Sequence, residues 1–180
     1  LLLSDSRVDP SDDDNTAIMT ASKNGHLEIV KLLLSDSRVD PSSENNEAIR
    51  FASQNGHYEI VKLLLSDSRV DPSDNNNEAI KYASENGHSE VVELLLSNSR
   101  VDPSDVNNEA IRLTSGNGYL KVVKLLLSDS RTLSNYLVIN GIAIDEKCWD
   151  ILTRFHKNLS YKNFEFHENM NKSNWPRFLL

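Results

Sequence analysis

The sequence predicts an all-α solenoid: a stack of two-helix units joined by short loops, with a helical cap at its C-terminal end. Three observations predict it. The ten letters LLLSDSRVDP at Leu1 return at Leu32 and Leu63, return as LLLSNSRVDP at Leu94, and fade as LLLSDSRTLS at Leu125. Residues 1–31, 32–62, 63–93 and 94–124 align without a gap, so the period is 31. Asn15, Asn46, Asn77 and Asn108 then share one column, and Gly25, Gly56, Gly87 and Gly118 another. A fixed period of this size marks a tandem array. Finally, one unit cannot stand alone. It buries about six large apolar side chains at roughly 2 kcal/mol each, whereas ordering its residues costs at least about 1 kcal/mol apiece. Stacked neighbours must supply the remaining burial.

The elements follow in chain order. Residues 1–14 read as the end of a truncated upstream repeat, because the opening refrain is the second half of a unit. Leu1, Leu2 and Leu3 then end a helix whose earlier turns are missing, and at least one more repeat is expected upstream. Residues 15–131 form the array, with repeats starting near 15, 46, 77 and 108. The first helix of a unit is typified by NEAIRFASQNG at 46–56. Asn46 suits an N-cap, and Gly56 suits the left-handed residue that closes a helix. At about 100° per residue, Ala48, Ile49, Ala52 and Ser53 share one side and Glu47, Arg50, Phe51 and Gln54 the other. The small residues on the first side allow close approach of another helix.

The second helix, YEIVKLLLS at 58–66, is apolar round most of its circumference, with a narrow polar strip at Glu59 and Lys62. Such a helix is buried on most sides, so it is expected in the middle with the Ala-rich helix covering it. Pro41 and its polar neighbours end that pattern in a turn. Residues 132–159 read as a degenerate capping repeat: Gly141 ends a short helix and Asp145 caps a longer one with Cys148, Trp149, Leu152, Phe155 and Leu159 on one face. Arrays need atypical ends that hide their last apolar face. Residues 160–180 form an Asn-rich tail, either loosely ordered or folded back through Phe164, Phe166 and Trp175.

EAIRFASQNGHYEIVKLLL at 47–65 and EAIKYASENGHSEVVELLL at 78–96 resemble the ankyrin-repeat pattern T-P-L-H-x-A-A-x-x-G-H-x-x-V-V-x-L-L-L, which they follow without a gap. The resemblance covers about residues 1–128 in four copies. The departures lie at the start, where TAIM at Thr16 and then EAIR or EAIK replace T-P-L-H, and in the turn, where SRVDP replaces G-A-D-V-N. The connecting segment is two residues shorter than the family's, so shorter, tighter loops are expected in place of projecting β-hairpin fingers. The style is similar to the arrays of protists and large DNA viruses. By resemblance, the array binds other proteins on a concave surface.

Composition narrows the function classes. Residues 1–124 carry 12 Lys+Arg against 21 Asp+Glu, while residues 125–180 carry 7 against 6. Phosphate backbones select clustered positive charge, so neither nucleic acid nor an anionic membrane is an expected partner. No apolar run approaches the roughly 18–20 residues that span a bilayer. A lone Cys148 excludes an intrachain disulfide framework and fits an intracellular, cytoplasmic setting. His26, His57 and His88 stand one repeat apart, too far to share a zinc ion with bonds of about 2 Å, and read as turn histidines. DPSDDDN at 9–15 lacks the glycine and closing glutamate of a calcium loop. Cys148 and His156 lie about 12 Å apart along one predicted helix. No cofactor, metal or catalytic group is assigned, and a non-enzymatic monomer is expected.

Comparing the four copies on the outward side of the first helix isolates three variable columns: Met19, Arg50, Lys81 and Arg112; Thr20, Phe51, Tyr82 and Leu113; Lys23, Gln54, Glu85 and Gly116. Outward aromatics are typical interface residues, and three cations in register suit an acidic patch. The expected function is therefore a non-catalytic protein–protein interaction scaffold, binding through this face and the loops. The alternatives are a substrate-recruiting adaptor whose C-terminal segment docks an enzyme such as a ubiquitin ligase, and a terminal piece of a larger enzyme.

Overall fold

The computed structural model describes residues 8–132, in which eight helices follow one another in four pairs. They are α1 (Asp12–Lys23) and α2 (Leu27–Leu34), α3 (Ser43–Gln54) and α4 (Tyr58–Leu65), α5 (Asp74–Glu85) and α6 (Ser89–Leu96), and α7 (Asp105–Gly116) and α8 (Leu120–Ser128). No strand occurs among the described residues, in keeping with the short loops expected. First helices stack on first helices and second on second, and the two helices of each pair pack together. The result is two layers with one continuous apolar core. Leu1–Leu3, the predicted cap beyond Thr132, and the tail lie outside the described residues.

The small-residue side predicted for the first helix is the side that meets its neighbours: Ala48, Ile49, Ala52 and Ser53 are all fully buried. The second helix is not enclosed in the middle, since the described residues form no third layer. Ile60, Val61 and Leu64 of α4 are buried, Leu63 and Leu65 are partly covered, and Glu59 and Lys62 face solvent. At the α1/α2 edge Ala17, Ile29 and Leu32 are exposed, although their counterparts Ala48 and Ile60 are buried and Leu63 is half-buried.

Each first helix opens in an unusual way. Asp13, Asp14 and Asn15 take φ of 52°, 53° and 65°, and Glu44, Asn45 and Asn46 and Asn75, Asn76 and Asn77 repeat this left-handed turn. L-residues resist that region at about 1–2 kcal/mol each, and Asn and Asp resist it least. This explains why the sequence places DDDN, ENN and NNN there. Asp74 and Asp105 brace the turn by accepting the next backbone N–H at 2.7 Å.

Asn46 is not the N-cap that its sequence position suggests. Its Oδ1 accepts the backbone N–H of Asp71 at 2.8 Å and its Nδ2 donates to Asp74 Oδ2 at 2.9 Å, both in the following repeat. Asn15 clasps Asp40 and Ser43 in the same way, and Asn77 clasps Asp102 and Asp105. The fourth member, Asn108, is fully buried, and neither its Oδ1 nor its Nδ2 makes a hydrogen bond among the described residues.

The refrain is the other half of this adhesive. In SDSRVDPS, Ser35 Oγ donates to the Leu32 carbonyl at the end of α2. Asp36 accepts the backbone N–H of Arg38 and holds its guanidinium, whose Nη1 then donates back to the Val8 carbonyl of the preceding repeat at 3.0 Å. Val39 is fully buried, and Asp40 accepts from both Ser42 N–H and Ser42 Oγ. Arg69, Arg100 and Arg131 make the same backward bond to Val39, Val70 and Val101. The phrase recurs because each described copy, at Arg38, Arg69, Arg100 and Arg131, forms the same joint.

Candidate partner-binding face

The turn between the helices of a pair fixes how the first helices present their outer side. Gly56, at φ 73°, ends α3 in the left-handed region that glycine enters without steric cost. A Cβ there would stand 2.6 Å from Nδ1 of His88, because that ring lies flat on the glycine of the preceding repeat. His88 Nε2 also bonds the Gln54 carbonyl at 3.0 Å, and His57 bonds that of Lys23. These histidines thus satisfy carbonyls at helix ends, the turn role expected of them. In the fourth copy Tyr119 covers Gly87, and Asn117 Nδ2 takes the Glu85 carbonyl at 2.8 Å instead. Rigid joints of this kind hold the outer side chains of α1, α3, α5 and α7 at a fixed spacing.

On that outer side Thr20, Lys23 and Arg112 are exposed, as is Gly116. Arg50, Phe51, Gln54, Lys81, Tyr82, Glu85 and Leu113 are half-buried, each still partly open to solvent. Met19 does not share this exposure: it is only 8% exposed and belongs to the core cluster. A long apolar side chain at this position folds inward; of the cations that follow it, Arg50 and Lys81 are mostly covered, with side chains 14% and 18% exposed, and Arg112 is exposed.

The cations do not stand free in register. Arg50 Nη1 lies 3.1 Å from Glu78 Oε2, and Lys81 Nζ lies 3.6 Å from Glu78 Oε1 and 3.5 Å from Glu109 Oε2. Arg50, Glu78, Lys81 and Glu109 therefore form a ladder of alternating sign across α3, α5 and α7. Burial pushes the Glu78 carboxyl up, but hydrogen bonds from Asn75 and Tyr82 and the charges of Arg50 and Lys81 outweigh it, leaving the group below its ordinary value. Burial, then the Glu78 carboxylate, pushes the Tyr82 phenol up. Its hydroxyl donates to Glu78 Oε1 at 3.0 Å. The aromatics are also accompanied by charge: Lys23 Nζ sits 4.8 Å from the centre of the Phe51 ring, and Lys81 Nζ 5.3 Å from that of Tyr82. Such cation–aromatic contacts contribute about 0.5–1 kcal/mol at exposed sites.

The centre of the face is thus internally compensated, which disfavours the acidic patch that the three cations suggested. The residues missed by sequence reasoning are Glu47, Glu78 and Glu109. After Thr16 that column is glutamate in every copy, so a comparison of the copies does not pick it out. The signal was nonetheless present: glutamate three positions before a cation puts both on one helical face. The acidic segment at 9–15 is occupied by local bonds. Asp9 accepts from Ser11 N–H and Oγ, and Asp12 from Asp13 N–H. Cys148 and His156, and with them the adaptor reading, lie outside the described residues. No helix among the described residues is long and apolar enough to cross a membrane.

Comparison with known proteins agrees with the repeat geometry. The family model for ankyrin repeats (3 copies) matches residues 1–76, and that for a single ankyrin repeat matches residues 75–108. No curated protein matches the chain.

Proposed function

Because the chain belongs to the ankyrin-repeat family, whose repeats are protein-interaction modules, we propose that it is a non-catalytic scaffold that binds a protein partner through the outer side of its first helices. The observation that carries this reading is the pair Phe51 and Tyr82. They stand side by side on α3 and α5, half-exposed, on a face whose backbone is held by bonds between repeats. Partly exposed aromatics on a rigid support supply contact area at low entropic cost, which is why truncating such residues dominates interface energetics. The variable columns fit the same reading: the buried columns repeat Ala and Ile, while the outer positions change in size and charge from unit to unit.

The test is comparative recovery of bound proteins, identified by mass spectrometry, with the wild-type chain and a Phe51→Ala/Tyr82→Ala variant. Loss of the two rings should weaken a genuine partner by about 1–2 kcal/mol or more for each hot-spot ring, enough to remove it from the recovered set. Recovery that is unchanged in the variant would eliminate this face as the binding surface.

A further inference from the structure

We propose that the turns at Asn24-Gly25, Asn55-Gly56 and Asn86-Gly87 are sites of self-modification that the stack holds closed. Each loses ammonia from its carboxamide and becomes aspartate or isoaspartate once neighbouring units part, with water as the only co-reactant. The sequence supplies the reactants. Asparagine is a thermolabile residue, and the glycine after it has no Cβ to hinder its nitrogen. All three asparagines are exposed, so water and base reach them. In the reaction the glycine nitrogen gives its proton to base and bonds to the asparagine Cγ. The Cγ–Nδ2 bond breaks, ammonia leaves, and a five-membered imide remains. Water then opens the imide at either carbonyl, giving aspartate or the isomer whose main chain runs through the side chain.

The folded turn withholds each reactant. Asn24, Asn55 and Asn86 have ψ of 3°, 3° and 2°. There the glycine nitrogen eclipses the asparagine's own nitrogen across the Cα–C bond, turned away from the side chain, and does not reach Cγ. The leaving nitrogen is held, because Nδ2 donates to the carbonyls of Thr20, Phe51 and Tyr82 at 2.9, 2.9 and 2.8 Å. The attacking nitrogen is held as well, its N–H donating to the carbonyls of Ser22, Ser53 and Ser84 at 3.4, 3.3 and 3.2 Å. Stacking keeps the turn in this form. A ring of the next repeat, His57, His88 or Tyr119, lies on each glycine so closely that a Cβ there would stand 2.7, 2.6 or 2.6 Å from it. The same closeness makes the change one-way. Isoaspartate adds a main-chain carbon where the ring leaves no room, and aspartate puts an anion at a helix C-terminus, where the helix dipole opposes it. Two of the carbonyls released belong to Phe51 and Tyr82, so conversion loosens the last turn beneath both rings of the outer face.

The experiment holds the full chain in mildly alkaline buffer and follows conversion at each asparagine by peptide mass spectrometry. It is run without urea, in urea above the unfolding midpoint, and with His88→Ala. In urea the three sites should convert at similar rates, since all read Asn-Gly-His, and at least about tenfold faster than in the native chain, since a stacked turn opens only transiently. His88→Ala bares Gly56 and frees the Gln54 carbonyl. It should speed Asn55 about tenfold, the effect of one lost hydrogen bond and its packing on a local opening, and leave Asn24 near its wild-type rate. If that variant does not fold, His57→Ala makes the same test at Asn24, with Asn86 as the control. Converted chain, separated by its added negative charge, should unfold at a lower urea concentration. Equal rates with and without urea would overturn the proposal, as would no conversion in urea. So would a folded His88→Ala chain in which Asn55 reacts no faster than Asn24, or a converted chain with an unchanged midpoint.

Discussion

The adhesive role of the Asn column makes a differential prediction. Asn77 and Asn108 occupy the same register and nearly the same backbone conformation, φ 57° and 59°. Asn77 accepts from Asp102 N–H at 2.7 Å and donates to Asp105 Oδ2 at 2.8 Å, whereas Asn108 makes no hydrogen bond among the described residues. Glycine takes the left-handed conformation without strain, so replacing each by Gly removes the carboxamide and keeps the turn. In Asn77→Gly the Asp102 N–H loses its acceptor, costing about 1–2 kcal/mol, and Asp105 loses a donor, about 1 kcal/mol more. The sum is about 2–3 kcal/mol. Asn108→Gly gives up no bond among the described residues and relieves a buried amide of its unmet desolvation, so it should be neutral or slightly stabilising. The flexibility that Gly adds to the unfolded chain is common to both and cancels in the comparison. Urea unfolding with an unchanged slope measures the difference, and hydrogen exchange at the Asp102 amide locates it. Equal losses for the two variants, or an Asp102 amide that stays protected in Asn77→Gly, would refute the clasp.

Three further outcomes follow from the same joints. Val106 is a β-branched residue held at φ 49° and 42% exposed, where the first three repeats place Asp13, Glu44 and Asn75; Val106→Asn should stabilise the array by about 1 kcal/mol, read as a raised urea midpoint. Asn98 is the one refrain position in the array without the aspartate that holds the following arginine, so Asn98→Asp should raise the midpoint at pH 7. Hydrogen bonds from Arg38 lower the Asp36 carboxyl to about 2 and those from Arg69 lower Asp67. A carboxyl depressed in the folded state stabilises above its unfolded value of about 3.9. The gain in Asn98→Asp should therefore vanish as pH falls from about 4 towards about 2. Gly118→Ala meets no atom within 4 Å among the described residues and should show only the cost of its φ of 75°, about 1 kcal/mol, whereas Gly56→Ala also strikes the His88 ring and should lose clearly more; equal thermal shifts would remove the stacking argument.

Much of the architecture was legible because a tandem repeat states its own alignment. The Gly column marked where first helices end, and the Ala and Ile columns marked the side that packs, since both depend on contacts within a few residues or on plain periodicity. The Asn column was equally visible but misread. An N-cap and a clasp demand the same residue, and only the partner, 25 positions away for Asn46 and Asp71, tells them apart. The binding face was legible in outline through Phe51 and Tyr82, but its electrostatics were not. A helical wheel drawn on one repeat shows Glu47 beside Arg50, yet the ion pair runs from Arg50 to Glu78 in the next unit.

What the sequence alone determined, then, is everything set by local chemistry repeated in register: the two-helix unit, the glycine turns, the need to stack, and the Asn- and Asp-rich segment that tolerates a left-handed turn. What the tertiary structure decided is how one unit grips the next, with Asn15, Asn46 and Asn77 reaching forward, Arg38, Arg69, Arg100 and Arg131 reaching back, and the outer glutamates pairing across repeats. The physical reason is the distance over which each interaction acts along the chain. Helix periodicity and turn preference are read within four residues, whereas a hydrogen bond or ion pair between stacked units joins side chains that the sequence keeps nearly a full repeat apart.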